Sequence, residues 1–309
     1  MLNFPLVYVL ILNYNGGEVV AECVDSVLKS DYPNFQVLVV DNASKDGSVQ
    51  RLRERFNNRI HIIENQTNLG YSCGFNVGLE YGFVKNNAKY SLVMNCDTII
   101  NREGVLELVK AAEGNAKAGF IIGKVYYYDK PNVFQTVGKV WGAERYFLEH
   151  IGNNEIDRGQ YDTIAEREFV DDIFWLVTRD VYEDVGGYSP IFFLECEDLE
   201  WQLRAKEKKY KIIYTPYAKI WHRESFILGK NSTQKIYFDA RNAMIAIMLH
   251  KPPGFFKRYF WHDFGNILWI SLQLIRHFRF YAAFRNVQGF ISGILWGLKN
   301  KKLTIRHFV

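Results

Sequence analysis

What the chain lacks narrows its reading before any motif is found. Its four cysteines, Cys23, Cys73, Cys96 and Cys196, show no C-x-x-C spacing, which argues against a zinc site and against a disulfide framework and fits a reducing cytoplasm. No strand-like run is followed by G-x-G-x-x-G, so the fingerprint of an NAD-dependent oxidoreductase is missing. The first apolar run, Leu6 to Leu12, has no basic residue ahead of it. At about seven residues it is too short for a secretory leader with its cleavage site or for a membrane span, and it reads as a first strand. No internal repeat is visible. Acidic residues all but vanish at the end: residues 251–309 hold ten of the 38 Lys and Arg but only Asp263 among the 34 Asp and Glu, which leaves 28 basic and 33 acidic residues in the body. A tail of that charge suits an anionic surface.

The body is ordinary globular material, 48% hydrophobic and 23% charged overall, and 309 residues suffice for one large domain with an appendage. Leu6 to Leu12 runs into the turn cluster Asn13-Tyr14-Asn15-Gly16-Gly17, after which Val20, Cys23, Val24, Val27 and Leu28 recur at helical spacing. Phe35 to Val40 ends in a polar loop from Asp41 to Ser48, and Arg59 to Glu64 ends in another from Asn65 to Gly70. A helix with Phe75, Val77, Leu79, Phe83 and Val84 follows. Ser91 to Met94 is then a buried strand tipped by Asn95 and Asp97. Strand alternating with helix predicts a mainly parallel, doubly wound α/β sheet with helices on both faces, and such sheets bind ligands outside the carboxyl ends of their strands.

Past Tyr128 the pattern fades through a polar, aromatic-dotted region, Lys130 to Glu166, and Glu168 to Thr178 returns to strand character. Glu195, Glu197, Asp198 and Glu200 crowd the start of a helix reaching about Lys209. Strands follow around Ile212 to Thr215 and Lys219 to His222, then a helix from Ser232 to His250, with Pro252-Pro253-Gly254 as a boundary. The expected domains are 1–250 and a basic, aromatic, helical tail, 251–309.

Six blocks carry chemistry: Asn13-Tyr14-Asn15; Asp41 to Ser48; Asn68-Leu69-Gly70 with Gly74, Asn76 and Gly78; Asn95-Cys96-Asp97; Glu197-Asp198-Leu199-Glu200-Trp201-Gln202-Leu203-Arg204; and Tyr237-Phe238-Asp239-Ala240-Arg241-Asn242. In this order, over roughly residues 5 to 245, they resemble family 2 glycosyltransferases of the GT-A fold, in a branch with rhamnosyltransferases of cell-envelope polysaccharide assembly. The resemblance implies a GT-A mixed sheet with an amphipathic helical tail. It also implies an inverting transfer from a nucleoside-diphosphate sugar, with dTDP-rhamnose or a UDP-sugar as the expected donor, to a hydroxyl of a glycan or lipid-linked acceptor. No nucleic acid is expected as a partner.

By that resemblance Asn13, Asn15, Asp41, Asn68, Gly70, Asn76, Asn95 and Arg241 bind the donor. Asp97, with His222, holds Mg²⁺ or Mn²⁺, and Asp198, seconded by Glu197, is the base. Physically, a divalent cation offsets the charge of a leaving diphosphate, and a carboxylate opposite the leaving group can take the acceptor's proton. Asn95 stands where the family's D-x-D has its first acid, so one charge fewer predicts a weaker metal site. Each assignment has a plainer counterpart: Asp41 and Asn68 as turn formers, His222 as a structural histidine, Arg241 on a solvated helix face, and the acidic cluster as a helix start favoured by the macrodipole. Arg204, on the same helix as Glu197, is expected to steady those carboxylates.

In the tail, Asn266 to Ile275 and Phe290 to Leu298 are apolar stretches too short to span. They are flanked by Arg258, Arg276, Arg279, Arg285 and Lys299 to Lys302, with Trp261, Trp269 and Trp296 among them. They read as interfacial helices on an anionic leaflet, which would put the protein on the cytoplasmic face of the cell membrane; the alternative is a homodimer interface or a helical lid. Two rival functions remain: a non-catalytic nucleotide- or glycan-binding scaffold, and a sugar-nucleotide pyrophosphorylase. Against the second, Asn13 to Gly17 contains no Lys or Arg.

Overall fold

A computed structural model describes residues 4–142, 148–223, 232–250 and 253–300. The chain opens with β1 (Val7–Asn13), α1 (Val19–Val27), β2 (Phe35–Asp41), α2 (Ser48–Phe56), β3 (His61–Glu64) and α3 (Gly70–Leu79), and then β4 (Tyr90–Asn95), β5 (Thr98–Ile100) and α4 (Gly104–Glu113). Next come β6 (Ala118–Tyr127), β7 (Lys130–Thr136), β8 (Lys139–Trp141), β9 (Leu148–His150), β10 (Ala165–Arg167), β11 (Phe174–Thr178) and α5 (Arg179–Val185). The last elements are α6 (Glu197–Glu207), β12 (Lys211–His222), α7 (Thr233–His250), α8 (Pro253–Arg276) and α9 (Phe280–Lys299).

Because side chains alternate along a strand, the apolar run of β1 serves two layers. Val7, Val9 and Ile11 join one cluster with Val20 and Val24 of α1 and Leu108 of α4. Tyr8 and Leu10 join another with Phe75 of α3, Val181 of α5 and Trp201 of α6. A strand buried on both faces needs no polar alternation, which is why the run reads as continuously hydrophobic.

The main sheet has ten strands, ordered β10-β12-β6-β11-β4-β1-β2-β3, with β5 added to β12 and β7 to β6. It is more mixed than the alternation predicts. β1 is parallel to β2 and β4, but β11 enters antiparallel between β4 and β6. The two strands expected near residues 212 and 219 are one, β12, with a register shift between Tyr214 and Lys219. Only Phe174–Thr178 of the strand expected from Glu168 is regular. The polar region past Tyr128 is built of short strands, β7 to β10.

Register sets the site. Asn13 pairs with Asp41 and Leu12 with Asn95. Since β6 runs parallel to β12, His222 ends its strand at the same edge, where it pairs with Thr98.

Lys251 and Pro252, at the expected boundary, lie outside the described residues, as do Lys301 and Lys302. The tail beyond them packs on the body. Gly289, Gly293 and Gly297 form a stripe along α9 against α7, and a Cβ on them would stand 2.3 Å from the Tyr237 carbonyl, 2.5 Å from the Arg241 carbonyl and 2.1 Å from Met248 Sδ. Side chains there would force the helices apart, so the stripe sets how closely they pack.

Candidate active site

A cleft of about 800 Å³ opens at the carboxyl edge of the sheet. Loops after β1, β2 and β3 give Leu12, Tyr14, Asn42, Asn68 and Gly70. The tip of β4 gives Asn95, Cys96 and Asp97, and β12 gives His222. The turn into α6 gives Glu195 to Leu199, and α7 gives Gln234 and Lys235.

Of the residues singled out in sequence, Asn68, Gly70, Asn95, Asp97, Glu197, Asp198 and His222 share this cleft. Asn68 Oδ1 accepts from the Gly70 amide. Gly70 itself has φ of +80°, and a Cβ there would sit 2.5 Å from the Phe193 carbonyl, so only glycine lets the turn lie this close to the loop before α6.

Asn13, Asn15, Asp41, Asn76 and Arg241 are not among the lining residues. Asn13 and Asp41 are buried and occupied with each other: Asn13 Nδ2 donates to Asp41 Oδ1 at 2.7 Å, while Ser44 gives its amide to Asp41 Oδ2 (2.9 Å) and its hydroxyl to Oδ1 (2.6 Å). They tie the first two loops together, and Asn42, buried beside them, reaches the next loop by donating to the Gly70 carbonyl. Asn15 Oδ1 accepts from the Lys45 amide on the same exposed shoulder. Asn76 bonds both backbone groups of Tyr188. Arg241 donates to the Ile191 carbonyl, and Asn242 Nδ2 to the carbonyls of Leu194 and Glu195. The Arg-Asn pair of α7 therefore grips the loop that delivers the acidic cluster, and Lys235, nearly two turns earlier, is the α7 cation that reaches the cleft.

That grip has work to resist. Glu195 and Cys196 both have positive φ, 68° and 65°, a conformation costing a non-glycine residue about 1–3 kcal/mol. The strained turn aims Glu197 and Asp198 into the cleft at the start of α6. Trp201, one turn on, anchors the helix between Trp175 (5.6 Å between ring centroids) and Tyr188 (4.5 Å).

The two acids meet different surroundings. Glu197 is 5% exposed and its Oε2 has no hydrogen-bond partner. Burial, then the charges of Asp172 and Asp198, push its carboxyl well above the usual range. Asp198 is also raised by burial, but Lys139 pulls the other way, its Nζ lying 3.7 Å from Asp198 Oδ2. Asp172, half-buried beside them and taking a 2.7 Å hydrogen bond from the Tyr188 hydroxyl, is pushed up by desolvation and by Asp198. One acid is thereby favoured as a proton carrier and the other as a proton acceptor.

On the opposite wall, His222 Nε2 lies 3.3 Å from Asp97 Oδ1, both side chains 8% exposed. His222 Nδ1 lies 2.8 Å from Gln135 Oε1. An amide oxygen only accepts, so Nδ1 donates to it, and Nε2 is the ring nitrogen that faces the Asp97 carboxylate. A ring nitrogen and a carboxylate oxygen at that spacing are placed to share a divalent cation, and the histidine's other nitrogen is held as metal-ligating histidines usually are. Among the described residues no group of three or more His, Cys, Asp or Glu is arranged to hold a metal. Two protein ligands completed by phosphate oxygens is the habit of Mg²⁺-type sites. Asn95 Oδ1 accepts from the Tyr71 hydroxyl at 2.8 Å.

Sequence reasoning missed Gln135, Lys139, His150, Asp171, Asp172 and Lys235. Asp171-Asp172 carried a signal, adjacent acids inside an otherwise apolar stretch. Gln135, Lys139 and His150 carried none, since short strands in a polar region have no period to stand out from. Of the carboxylates in the cluster, Arg204 steadies Glu200, by two-point contact from Nε (2.8 Å) and Nη2 (2.9 Å).

Several known proteins share this architecture. Mannosyltransferase PcManGT from Pyrobaculum calidifontis, solved with GDP-Man and Mn²⁺, superposes with a TM-score of 0.56 at 16% identity, covering 97% of this chain and 89% of that one. GalNAc-T7 with UDP, GalNAc and Mn²⁺ gives 0.63 at 12% identity, over 97% and 58%. At such identities the likeness shows the fold, which is GT-A. Among curated relatives, glycosyltransferase GlyG of Streptococcus pneumoniae is 24% identical over 186 residues, 58% of this chain and 59% of that protein. Poly-beta-1,6-N-acetyl-D-glucosamine synthase of Staphylococcus epidermidis is 22% identical over 213 residues, 69% and 48%. The matched regions thus span about half of each relative. The profile described as glycosyl transferase family 2 matches residues 8–186, a stretch that runs from β1 past Asp97 to the end of α5, and the chain belongs to that family.

Proposed function

We propose that the protein is an inverting glycosyltransferase that moves a sugar from a nucleoside-diphosphate sugar, a dTDP- or UDP-sugar first, to a hydroxyl of a glycan or lipid-linked acceptor in cell-envelope polysaccharide synthesis. The observation that carries this reading is the division of one cleft between Asp97 with His222 and the base-competent carboxylate of Asp198. Asn42, Asn68 and Gly70 offer the nucleotide polar groups and close backbone approach, with Asp41 and Asn13 holding that shelf from behind. Asp97 and His222 would hold Mg²⁺ or Mn²⁺, which when bound offsets the charge of the leaving diphosphate. Asp198 accepts the acceptor's hydroxyl proton as the new oxygen–carbon bond forms and the anomeric carbon–phosphate oxygen bond breaks. Attack opposite the leaving group inverts the centre.

Thermal stabilisation of the full chain across dTDP-, UDP- and GDP-sugars, with and without Mg²⁺ or Mn²⁺, tests the donor half. A ligand at 100 times its Kd adds about 2.7 kcal/mol. With two protein donors for the cation, the ion alone should shift the melting point little, and ion with the matching nucleotide substantially. No stabilisation by any nucleotide with either ion overturns the reading. Full transfer activity in excess chelator removes the metal from it.

The tail is proposed to rest on an anionic membrane from the cytoplasmic side. Among the described residues no helix is long and apolar enough to cross a membrane. Yet α8 and α9 turn outward Trp269 (61% exposed), Leu272 (64%) and, at the bend between them, Phe278 (84%), near Arg276 and Arg279. Exposed aromatics with a basic fringe are the features of an interfacial helix. Because α9 covers α7, point changes test this better than truncation. Trp269→Ser with Leu272→Ser should leave nucleotide binding intact and abolish co-sedimentation with phosphatidylserine vesicles, and wild-type binding should weaken as salt rises. Salt-insensitive association, or a dimer lost in the double variant, favours a second copy on that face.

A further inference from the structure

We propose that Lys139 is a positioning residue: its ammonium, held between Asp171 and Asp198, biases the cluster so that Asp198 rather than its neighbour Glu197 takes the acceptor's proton. Lys139 opens β8, where its amide donates to the Phe169 carbonyl (2.6 Å) and its carbonyl accepts from the Phe169 amide (3.1 Å). This fixes it two residues from Asp171 on the facing segment. Its side chain is 12% exposed, and Nζ bonds Asp171 Oδ1 and lies 3.7 Å from Asp198 Oδ2. The titratable groups around Asp198 are Asp171 and Asp172 from the loop before β11, Glu195 and Glu197 from its own turn, Tyr71 from α3, His150 from β9 through Asp171, and Lys235 from α7. Lys235 is spent on Glu195.

Removing a cation this close should raise the proton affinity of Asp198. An opposite charge within about 4–6 Å moves a carboxyl by about 1–3 pH units.

The inference rests on Asp198 being the base, so the test separates the two. In the full chain labelled with [¹³Cγ]aspartate, the Asp198 resonance is the one lost in Asp198→Asn. Its titration midpoint should rise by about one unit or more in Lys139→Met and stay near wild type in Lys139→Arg. Should Lys139→Met not fold because Asp171 is left unpaired, Asp171→Asn with Lys139→Met, compared with Asp171→Asn alone, asks the same question and should show the same rise. An unchanged midpoint overturns the role of Lys139, even where Asp198→Asn abolishes release of nucleoside diphosphate from the donor identified by thermal shift. If Asp198→Asn leaves that release intact while the midpoint moves, the base assignment fails and the electrostatic coupling stands.

Discussion

Asp198→Asn is expected to lower sugar transfer by roughly 10²–10⁴, the range for losing a general base, while donor affinity stays near wild type. Asparagine keeps the shape and most of the hydrogen bonding but cannot take a proton. The informative comparison is Glu197→Gln. Burial and the charges of Asp172 and Asp198 push the Glu197 carboxyl well above the usual range, which favours the protonated form that glutamine imitates. Its replacement should cost at most a few-fold. The two changes are one residue apart in the same strained turn, so any general loss of shape would appear in both. Equal losses, measured as initial rates of nucleoside diphosphate release at saturating donor, would mean that the cluster serves the donor or the fold. The sign of the pH dependence follows. Activity needs the Asp198 anion, so it should fall as pH drops through a midpoint above the ordinary carboxylate range, because burial raises Asp198.

The sequence made the sheet legible where strands were apolar throughout and helices periodic. The segments from β1 to α4 have one local solution each, and the loops at their carboxyl ends had to share an edge. The detail of those loops was less legible. Asn13 and Asp41, assigned to the donor by resemblance, bond each other beneath the cleft. Whether a carboxylate faces a substrate or a neighbouring serine depends on χ angles that no pattern encodes. The Tyr237 to Asn242 block shows the same limit: its arginine and asparagine act on carbonyls 47 to 50 residues away in sequence. The wall carrying Gln135, Lys139 and His150 was invisible because β7 to β10 are short and irregular. The glycines of α9 were in plain view at a spacing of four, but only the closeness of α7 gives that spacing meaning.

In the eight-residue block from Glu197 to Arg204, Glu197 and Asp198 line the cleft, while Glu200 and Arg204, four residues apart, pair inside the body. Glu200 is 1% exposed and Arg204 3%. The guanidinium holds the carboxylate at two points and also gives hydrogen bonds to the carbonyls of Val185 and Gly187, where α5 ends. His250, at the end of α7, comes within 3.3 Å of the same carboxylate. Breaking one side of such a pair strands the other charge without water, so Arg204→Met should cost about 3–5 kcal/mol. That is a large part of the 5–15 kcal/mol that typical domains possess, and it should appear as a lower urea midpoint. Burial alone would raise the Glu200 carboxyl, but the hydrogen bond to His250 and the charge of Arg204 outweigh it and hold it below the usual range. A depressed carboxylate stabilises the fold above its unfolded pKa of about 4.3, and the contribution fades as pH falls through the folded value. The gap between wild type and Arg204→Met should therefore persist from neutrality down to about pH 4.3 and narrow below it. Glu200→Gln in the Arg204→Met background should recover much of the loss, because it removes the stranded charge. A gap that ignores pH, or a double variant no better than the single one, would mean that the carbonyl bonds from Arg204, and not its charge, hold α6 in place.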